Sequence, residues 1–210
     1  MLDPENLIPT LIVLAIFLLV AFPVHEFAHA AVAYLLGDST AKLFGRLTLN
    51  PVVHFDPLGG MMTILSVFVG GFVFGWAKPT PVNTANLRDR RNGEVYVALA
   101  GPASNLVMAL LGAFVFRALD TVGAGVPSVV FYTVYLFVLF NVALAIFNLL
   151  PIPPLDGSTL LFRFLSPRQA WELRPILAQY GLFILIAFIL LLSRPLFTLI
   201  QSVAFFLVGR

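Results

Sequence analysis

The sequence predicts an all-α polytopic membrane protein. Of its 210 residues, 60% are hydrophobic and 10% are charged, whereas charged residues make up about 25% of a soluble domain. Several apolar runs are long enough for a helix to cross about 30 Å of hydrocarbon. The chain contains no cysteine, so a metal site must use histidine or carboxylate ligands. The formal net charge of +2, without a basic patch, gives no reason to expect nucleic acid as a partner.

The apolar runs predict about five or six transmembrane helices. The first run extends from Leu7 to Leu36, and Glu26 is its one formally charged residue. It is preceded by two acids, unlike the basic start of a signal peptide. The later runs cover residues 57–77, 95–116, 128–155, 175–193 and 195–209. We expect the last two to form a C-terminal helical hairpin, about 175–209, that turns at Arg194 and Pro195.

The run 57–77 is rich in glycine, which suits a re-entrant segment better than a straight span. A short transmembrane helix packed through Gly71 and Gly75 is the alternative. If this run crosses the membrane, the Lys and Arg residues divide eight to four between the two sides, and if it returns they divide ten to two. Because positively charged loops stay in the cytoplasm, the count favours the re-entrant path. It also predicts an N-terminus outside and a C-terminus in the cytoplasm.

Two segments between the runs have their own patterns. Residues 43–49 alternate loosely between apolar and polar side chains, which predicts a small β element at the cytoplasmic side. Residues 77–93 contain Pro79, Pro81 and Asn83, which predict an extended linker on the surface.

The first apolar run contains the pattern HExxH, from His25 through Glu26 to His29. On a helix this spacing places both imidazoles on one face, where they can bind one Zn²⁺ while the glutamate acts on a bound water. Each ionisable group in the bilayer costs on the order of 2.5 to 3.5 kcal/mol unless it is paired or functional. Three such groups within five residues therefore predict a metal site rather than a packing contact.

A catalytic zinc usually has three protein ligands and one open position for water. Asp156 is the favoured third ligand, because prolines break the apolar run before it and irregular backbone at membrane depth lines a cavity. His54 is expected to line the site or shape a loop, since a fourth protein ligand would close the water position. The other candidate ligands are Asp56, Asp38, Asp89 and Glu94.

The chemistry expected of such a site is peptide hydrolysis. Zinc lowers the pKa of its water and polarises the scissile carbonyl, and Glu26 acts as general base and then general acid. The developing oxyanion needs a hydrogen-bond donor. Asn148 and Asn105 are the candidates, although both amides could instead pack between membrane helices.

Three motifs in this order resemble the site-2 protease family of intramembrane zinc metalloproteases. They are HExxH, GPxxN at residues 101–105, and NxxPxPxxDG at residues 148–157. The resemblance implies His25, His29 and Asp156 as ligands of one zinc ion and Glu26 as the catalytic acid and base. It implies a compact prokaryotic member in the cell membrane, without a PDZ or CBS domain. Its substrates would be single-span membrane proteins in the lipid bilayer.

On this basis we expect residues 1–210 to form a single membrane-embedded protease domain with a catalytic core at about 7–160. A membrane metal transporter or a metal-binding scaffold is the alternative, since either would also place histidine and aspartate inside a helix bundle. A transporter is expected to show inverted repeats, and none is apparent in the sequence.

Overall fold

The computed structural model describes residues 4–69, 75 and 77–210. Within these residues, four helical stretches are long and apolar enough to cross a membrane, namely Ile8–Leu35, Arg90–Val122, Ser128–Asn148 and Pro167–Val208. No strand occurs in the described part of the chain. The predicted all-α, multi-pass architecture is therefore confirmed, with four candidate spans rather than five or six.

The first span is a helix with one change of pitch. It consists of α1 (Pro4–Ile16), a π-helical turn (Phe17–Ala21) and α2 (Phe22–Leu35). The N–H of Phe22 bonds to the carbonyl of Phe17, five residues back. The next residue, Pro23, has no N–H to continue the normal ladder, which accounts for the wider turn. Such π-bulges are frequent at functional sites, and HExxH begins two residues further on.

Three short helices follow the first span. They are α3 (Thr40–Leu43), α4 (Pro51–His54) and α5 (Pro57–Val69). At 1.5 Å per residue, the 13 residues of α5 reach about 20 Å. This is less than the hydrocarbon thickness of about 30 Å, so the described residues of α5 are too few to cross the membrane.

The centre of the bundle is an antiparallel pair, α6 (Arg90–Val122) and α7 (Ser128–Asn148). A side chain at Gly112 would collide with Phe137 and Val138, so the glycine allows the two helices to approach closely. Their contact belongs to a buried apolar cluster: Ala109, Ala113, Phe116, Val138, Val142, Leu196, Ile200, Ala204 and Val208.

The remaining helices pack on either side of this pair. α1 and α2 run antiparallel to α6, because Phe17 packs near Met108 while His29, further along, reaches Val97. α8 (Gly157–Phe164) leads into α9 (Pro167–Val208). α9 packs along α7 with Leu185 against the 150–155 loop and its last turns against the start of α7.

The small β element predicted at residues 43–49 is not formed. Thr40–Leu43 is helical, and the chain turns at Gly45, whose φ of 68° favours glycine. Leu43 and Phe44 are 83% and 71% exposed. The alternating pattern therefore has no buried face, which is the feature that makes alternation a strand signal.

The C-terminal helical hairpin predicted at 175–209 is also wrong, because α9 is one continuous helix of 42 residues. Pro195 lies inside it. A proline removes one hydrogen bond and kinks a membrane helix without having to end it. As a result, Arg210 lies at the far end of α6, where its guanidinium is 2.9 Å from the Asp120 carboxylate. The chain end thus lies on the same side of the bundle as the start of α1.

Asp38 fixes the chain after α2. It is completely buried and accepts hydrogen bonds from the N–H and hydroxyl of Thr40, the N–H of Asn83 and the side chain of Asn86. Burial alone would raise the pKa of Asp38, but these hydrogen bonds together lower it below its usual value. Asp38 therefore ties the linker at residues 83–86 to the end of the first span and is not a metal ligand.

We expect Asp38→Asn to lower the free energy of unfolding by about 1–3 kcal/mol at pH 7, because an amide nitrogen then faces one of these donors. The lowered pKa of Asp38 stabilises the fold at pH values above about 3.9, the pKa of aspartate in an unfolded chain. This stability is lost as the pH falls through the lower pKa of Asp38 in the folded protein. The difference between wild type and variant should therefore shrink in acid. Thermal unfolding of both proteins in detergent, from neutral to acidic pH, measures this difference in stability. Asp120→Asn, at an exposed ion pair, is the control, and an equal loss in both variants would contradict the assignment.

Candidate active site

Three potential metal ligands converge at the inner face of α2. The Nε2 atoms of His25 and His29 lie 3.0 Å apart. The Oδ2 atom of Asp156 lies 3.3 Å from the first and 3.4 Å from the second. Both histidines are buried, and no other group of three such residues within metal-binding distance occurs in the described residues. The two motifs that the sequence separates by more than 120 residues thus meet at one point.

The loop between α7 and α8 brings Asp156 to this point. Its apolar residues Ile152 and Leu155 pack against Leu185 of α9. Pro153 lies so close to α9 that a side chain at Gly181 would collide with its carbonyl. The loop is therefore held between the bundle and α9, and Asp156 ends it at the start of α8.

A chain of amide hydrogen bonds sets the protonation of His25. The side-chain N–H of Asn141 donates to the Phe137 carbonyl at 2.9 Å, and its oxygen accepts from Asn105 at 3.2 Å. The Asn105 oxygen is then left to accept from Nδ1 of His25 at 2.6 Å. Because a backbone carbonyl can only accept, the direction of the whole chain is fixed. Nδ1 of His25 is therefore the donor, and in the neutral ring the lone pair lies on Nε2.

His29 is held in the same way by a single contact. Its Nδ1 lies 2.7 Å from the Val97 carbonyl, so this nitrogen must donate, and in the neutral ring Nε2 is the acceptor. The oxygen Oδ2 of Asp156 is buried and receives no hydrogen bond from the described residues. When both imidazoles are neutral, two nitrogen lone pairs and a carboxylate oxygen therefore face one another, an arrangement that a bound cation satisfies.

The spacing of these three atoms fits a zinc ion. Zinc binds histidine nitrogen and carboxylate oxygen at about 2.0 to 2.2 Å, and in a tetrahedron the ligand atoms are then about 3.3 to 3.5 Å apart. The distances between ligand atoms are 3.0 to 3.4 Å. Two imidazoles and one carboxylate are also a ligand set typical of catalytic zinc, with a fourth position left for water.

Gly101 of the GPxxN motif faces the two histidines. A Cβ atom at this position would lie less than 3.0 Å from both Nε2 atoms. No side chain fits there without displacing the ligands. The glycine of this motif is thus explained by the space that a metal and its ligands need.

Glu26, next to His25 in the sequence, is hydrogen-bonded to the linker after α5. Its Oε2 accepts a hydrogen bond of 2.8 Å from the N–H of Thr80, and its backbone carbonyl accepts one of 3.1 Å from the Thr80 hydroxyl. Oε2 of Glu26 is therefore occupied, whereas its Oε1 forms no hydrogen bond with the described residues. This geometry fixes the orientation of the carboxylate beside the metal position.

The other candidate residues from the sequence are not among the three converging ligands and form other contacts. Asn148 donates to the carbonyl of Leu144 in its own helix. His54 is 1% exposed and its Nε2 donates to the Thr48 carbonyl, so it shapes the loop before α4. Asp56 and Asp89 cap the starts of α5 and α6. Glu94 lines a separate cavity between α6, α8 and α9.

Three contributors to the site were not predicted from the sequence. Asn141 could have been found, since a lone amide inside an apolar span is a polar group that needs a partner. The Val97 carbonyl and the N–H of Thr80 act through the backbone, so residue type carries no signal for them.

We expect Gly101→Ala to abolish zinc binding, because the added methyl group occupies the space between the two imidazoles. Metal content of the purified variant, measured by inductively coupled plasma mass spectrometry, tests this. Gly125→Ala is the matched control, since nothing lies within 4 Å of a Cβ at that position. Full zinc content in Gly101→Ala would contradict the placement of the metal.

We expect Asn105→Leu to weaken zinc binding by about 10- to 100-fold, the usual effect of losing the group that orients a histidine ligand. Competition with a chelator measures this affinity. Asn148→Leu is the control, because its amide bonds only to its own helix among the described contacts. Equal zinc affinity in both variants would show that the amide chain does not orient His25.

Comparison with known proteins agrees with this geometry. The chain matches peptidase family M50 over residues 12–123 and 119–192. It is 39% identical over 199 residues to "Putative zinc metalloprotease YwhC" of Bacillus subtilis, covering 92% of this chain and 84% of that protein. It is 34% identical to "Putative zinc metalloprotease Rip2" of Mycolicibacterium smegmatis, covering 87% of this chain and 69% of that protein. No solved structure matches it significantly.

The family match covers most of the chain, including all three motifs. The chain belongs to peptidase family M50, the site-2 protease family of intramembrane zinc metalloproteases.

Proposed function

We propose that this protease holds one zinc ion with His25, His29 and Asp156 and cleaves peptide bonds within or near the transmembrane segments of single-span membrane proteins. The observation that carries the proposal is the convergence of three potential ligand atoms within 3.4 Å of one another. The family supports zinc and a membrane-protein substrate.

Glu26 is the proton carrier in this proposal. A bound zinc ion lowers the pKa of a water at its open position and polarises the scissile carbonyl. The Thr80 N–H holds Oε2 of Glu26, which leaves Oε1 to accept the proton of the attacking water. The same oxygen then returns the proton to the leaving amine.

The two candidate asparagines take different roles. The Asn105 amide bonds to His25 and to Asn141 and is completely buried, so Asn105 positions a ligand and its second N–H is closed to a substrate. The Asn148 amide has two N–H groups, and one of them bonds to the Leu144 carbonyl. Asn148 therefore remains our candidate for contact with the substrate or the oxyanion.

We propose that the glycine-rich run 57–77 is re-entrant. The N–H of Lys78 bonds to the carbonyl of His54 at 2.8 Å, so the residues on either side of the run meet. A side chain at Gly75 would collide with Thr63 and Gly59 of α5. These contacts support a chain that enters through α5 and returns to the same side. Residues 70–74 and 76 of the run lie outside the described residues.

We propose that the metal end of the bundle faces the cytoplasm and that the N-terminus is outside. Arg117 and Arg210 lie at the opposite end of the bundle, and Arg194 lies within α9. The other nine of the twelve Lys and Arg residues lie in the connecting segments, in α8 or in the first turns of α6 and α9. These parts of the chain belong to the metal end, which the positive-inside rule assigns to the cytoplasm. With four spans and the continuous α9, the C-terminus also lies outside, contrary to the prediction made from a C-terminal hairpin.

The decisive experiment compares wild type with Glu26→Gln in purified form. We expect the variant to retain about one zinc per chain and to lose at least 100-fold in cleavage of a single-span substrate, because an amide cannot accept the water proton. Cleavage is followed by gel electrophoresis and mass spectrometry of the fragments, and zinc by elemental analysis.

Glu172→Gln is the matched control, since Glu172 lies in an exposed ion pair with Arg168. Undiminished cleavage by Glu26→Gln would exclude the proposed proton carrier. Zinc-dependent metal flux into proteoliposomes, without cleavage by wild type, would instead favour a transporter.

A further inference from the structure

A polar cavity that none of the three metal ligands lines lies beside α8, the helix that follows Asp156. It has a volume of about 180 Å³ and is enclosed by the first turns of α6, by α8 and by the first turns of α9. Its charged lining residues are Arg91, Glu94, Arg163 and Arg174. Three guanidinium groups against one carboxylate leave two positive charges in this cavity uncompensated by its own lining.

Two of the three arginines are held by contacts that leave their charge in place. Arg163 donates to the side-chain oxygen of Asn92 at 3.1 Å. The guanidinium of Arg174 stacks over the ring of Phe162 at 4.6 Å, a cation–π contact that orients the group and keeps its charge. Among the described residues, none of the three forms a salt bridge with a carboxylate.

Asp89, the capping residue of α6, is the other acid in this region. Hydrogen bonds from Asn92 lower the pKa of Asp89, and the nearby charge of Arg163 adds to the effect. Its oxygens are occupied by the N–H groups of Arg91 and Asn92 and by the Asn92 side chain. Asp89 therefore caps the start of α6 and forms no salt bridge with these arginines.

The surroundings of the cavity are those of a membrane interface. Phe164 and Trp171 flank it in sequence at the end of α8 and the start of α9, and their side chains are 85% and 81% exposed. Aromatic side chains at the ends of spans are typical of the headgroup region of a bilayer. Arginine is the residue best suited to phosphate, because its planar fork binds two oxygens at once.

We propose that this cavity binds a phosphate ester, presented by the headgroup of an anionic phospholipid. Soluble phosphate esters share this chemistry, but the exposed aromatic side chains beside the cavity favour the lipid. The occupant would link α6 to α8 through Arg91 and Arg163. Because α8 begins immediately after Asp156, a lipid bound here also restrains the helix that carries the third metal ligand.

The test uses the full-length protein in a zwitterionic detergent and measures the thermal midpoint during titration with short-chain phosphatidylglycerol. We expect saturable stabilisation of wild type and no comparable effect of phosphatidylcholine of equal chain length. Arg163→Gln combined with Arg174→Gln should weaken the apparent affinity at least tenfold. Glu94→Gln should strengthen it several-fold, a gain that misfolding cannot mimic.

Arg168→Gln is the matched control, because Arg168 lies in the first turn of α9 but pairs with Glu172 and does not line the cavity. Unchanged affinity in the double variant, or equal binding of phosphatidylcholine, would overturn the proposal. Equal affinity for soluble glycerol phosphate would overturn the lipid as the source. The readout does not depend on proteolysis, so it is independent of the proposed function.

Discussion

The metal centre depends on one backbone carbonyl in the middle of α7. The carbonyl of Phe137 can only accept a hydrogen bond, and it thereby fixes the orientation of the Asn141 amide, then that of Asn105, and finally the proton on Nδ1 of His25. The amides need no charge and titrate at no accessible pH. The lone pair of His25 is thus directed at the metal position by three hydrogen bonds inside the bundle.

This arrangement also explains the position of the site within the fold. An unpaired amide in hydrocarbon is costly, so Asn105 and Asn141 must face each other across the α6–α7 contact, and both are almost completely buried there. The close approach at Gly112 brings these helices together. The second histidine needs only the Val97 carbonyl. The helix pair that forms the apolar centre of the bundle therefore orients both imidazoles, while the loop before α8 adds the carboxylate.

The sequence was most informative where chemistry requires particular side chains. His25, His29 and Asp156 could be predicted to meet because their motifs specify the residue types that a metal needs, and the apolar runs predicted the long helices. Prediction failed where the outcome depends on tertiary contacts. The alternation at 43–49 lacks a sheet to bury it, and Pro195 lies inside α9 without ending it. Thr80 was missed because its contribution to Glu26 includes a backbone N–H that any residue but proline provides.

The linker beside Glu26 limits how a substrate can bind. The N–H of Lys78 bonds to the His54 carbonyl and that of Thr80 bonds to Glu26, whereas Pro79 and Pro81 have no N–H. Residues 78–81 therefore have no backbone donor left for an extended substrate. A substrate strand added along this segment could only donate to its carbonyl groups, so the carbonyls of an unwound substrate must find their donors elsewhere in the site. The amide of Asn148 has one N–H group beyond its bond to Leu144 that could serve as such a donor.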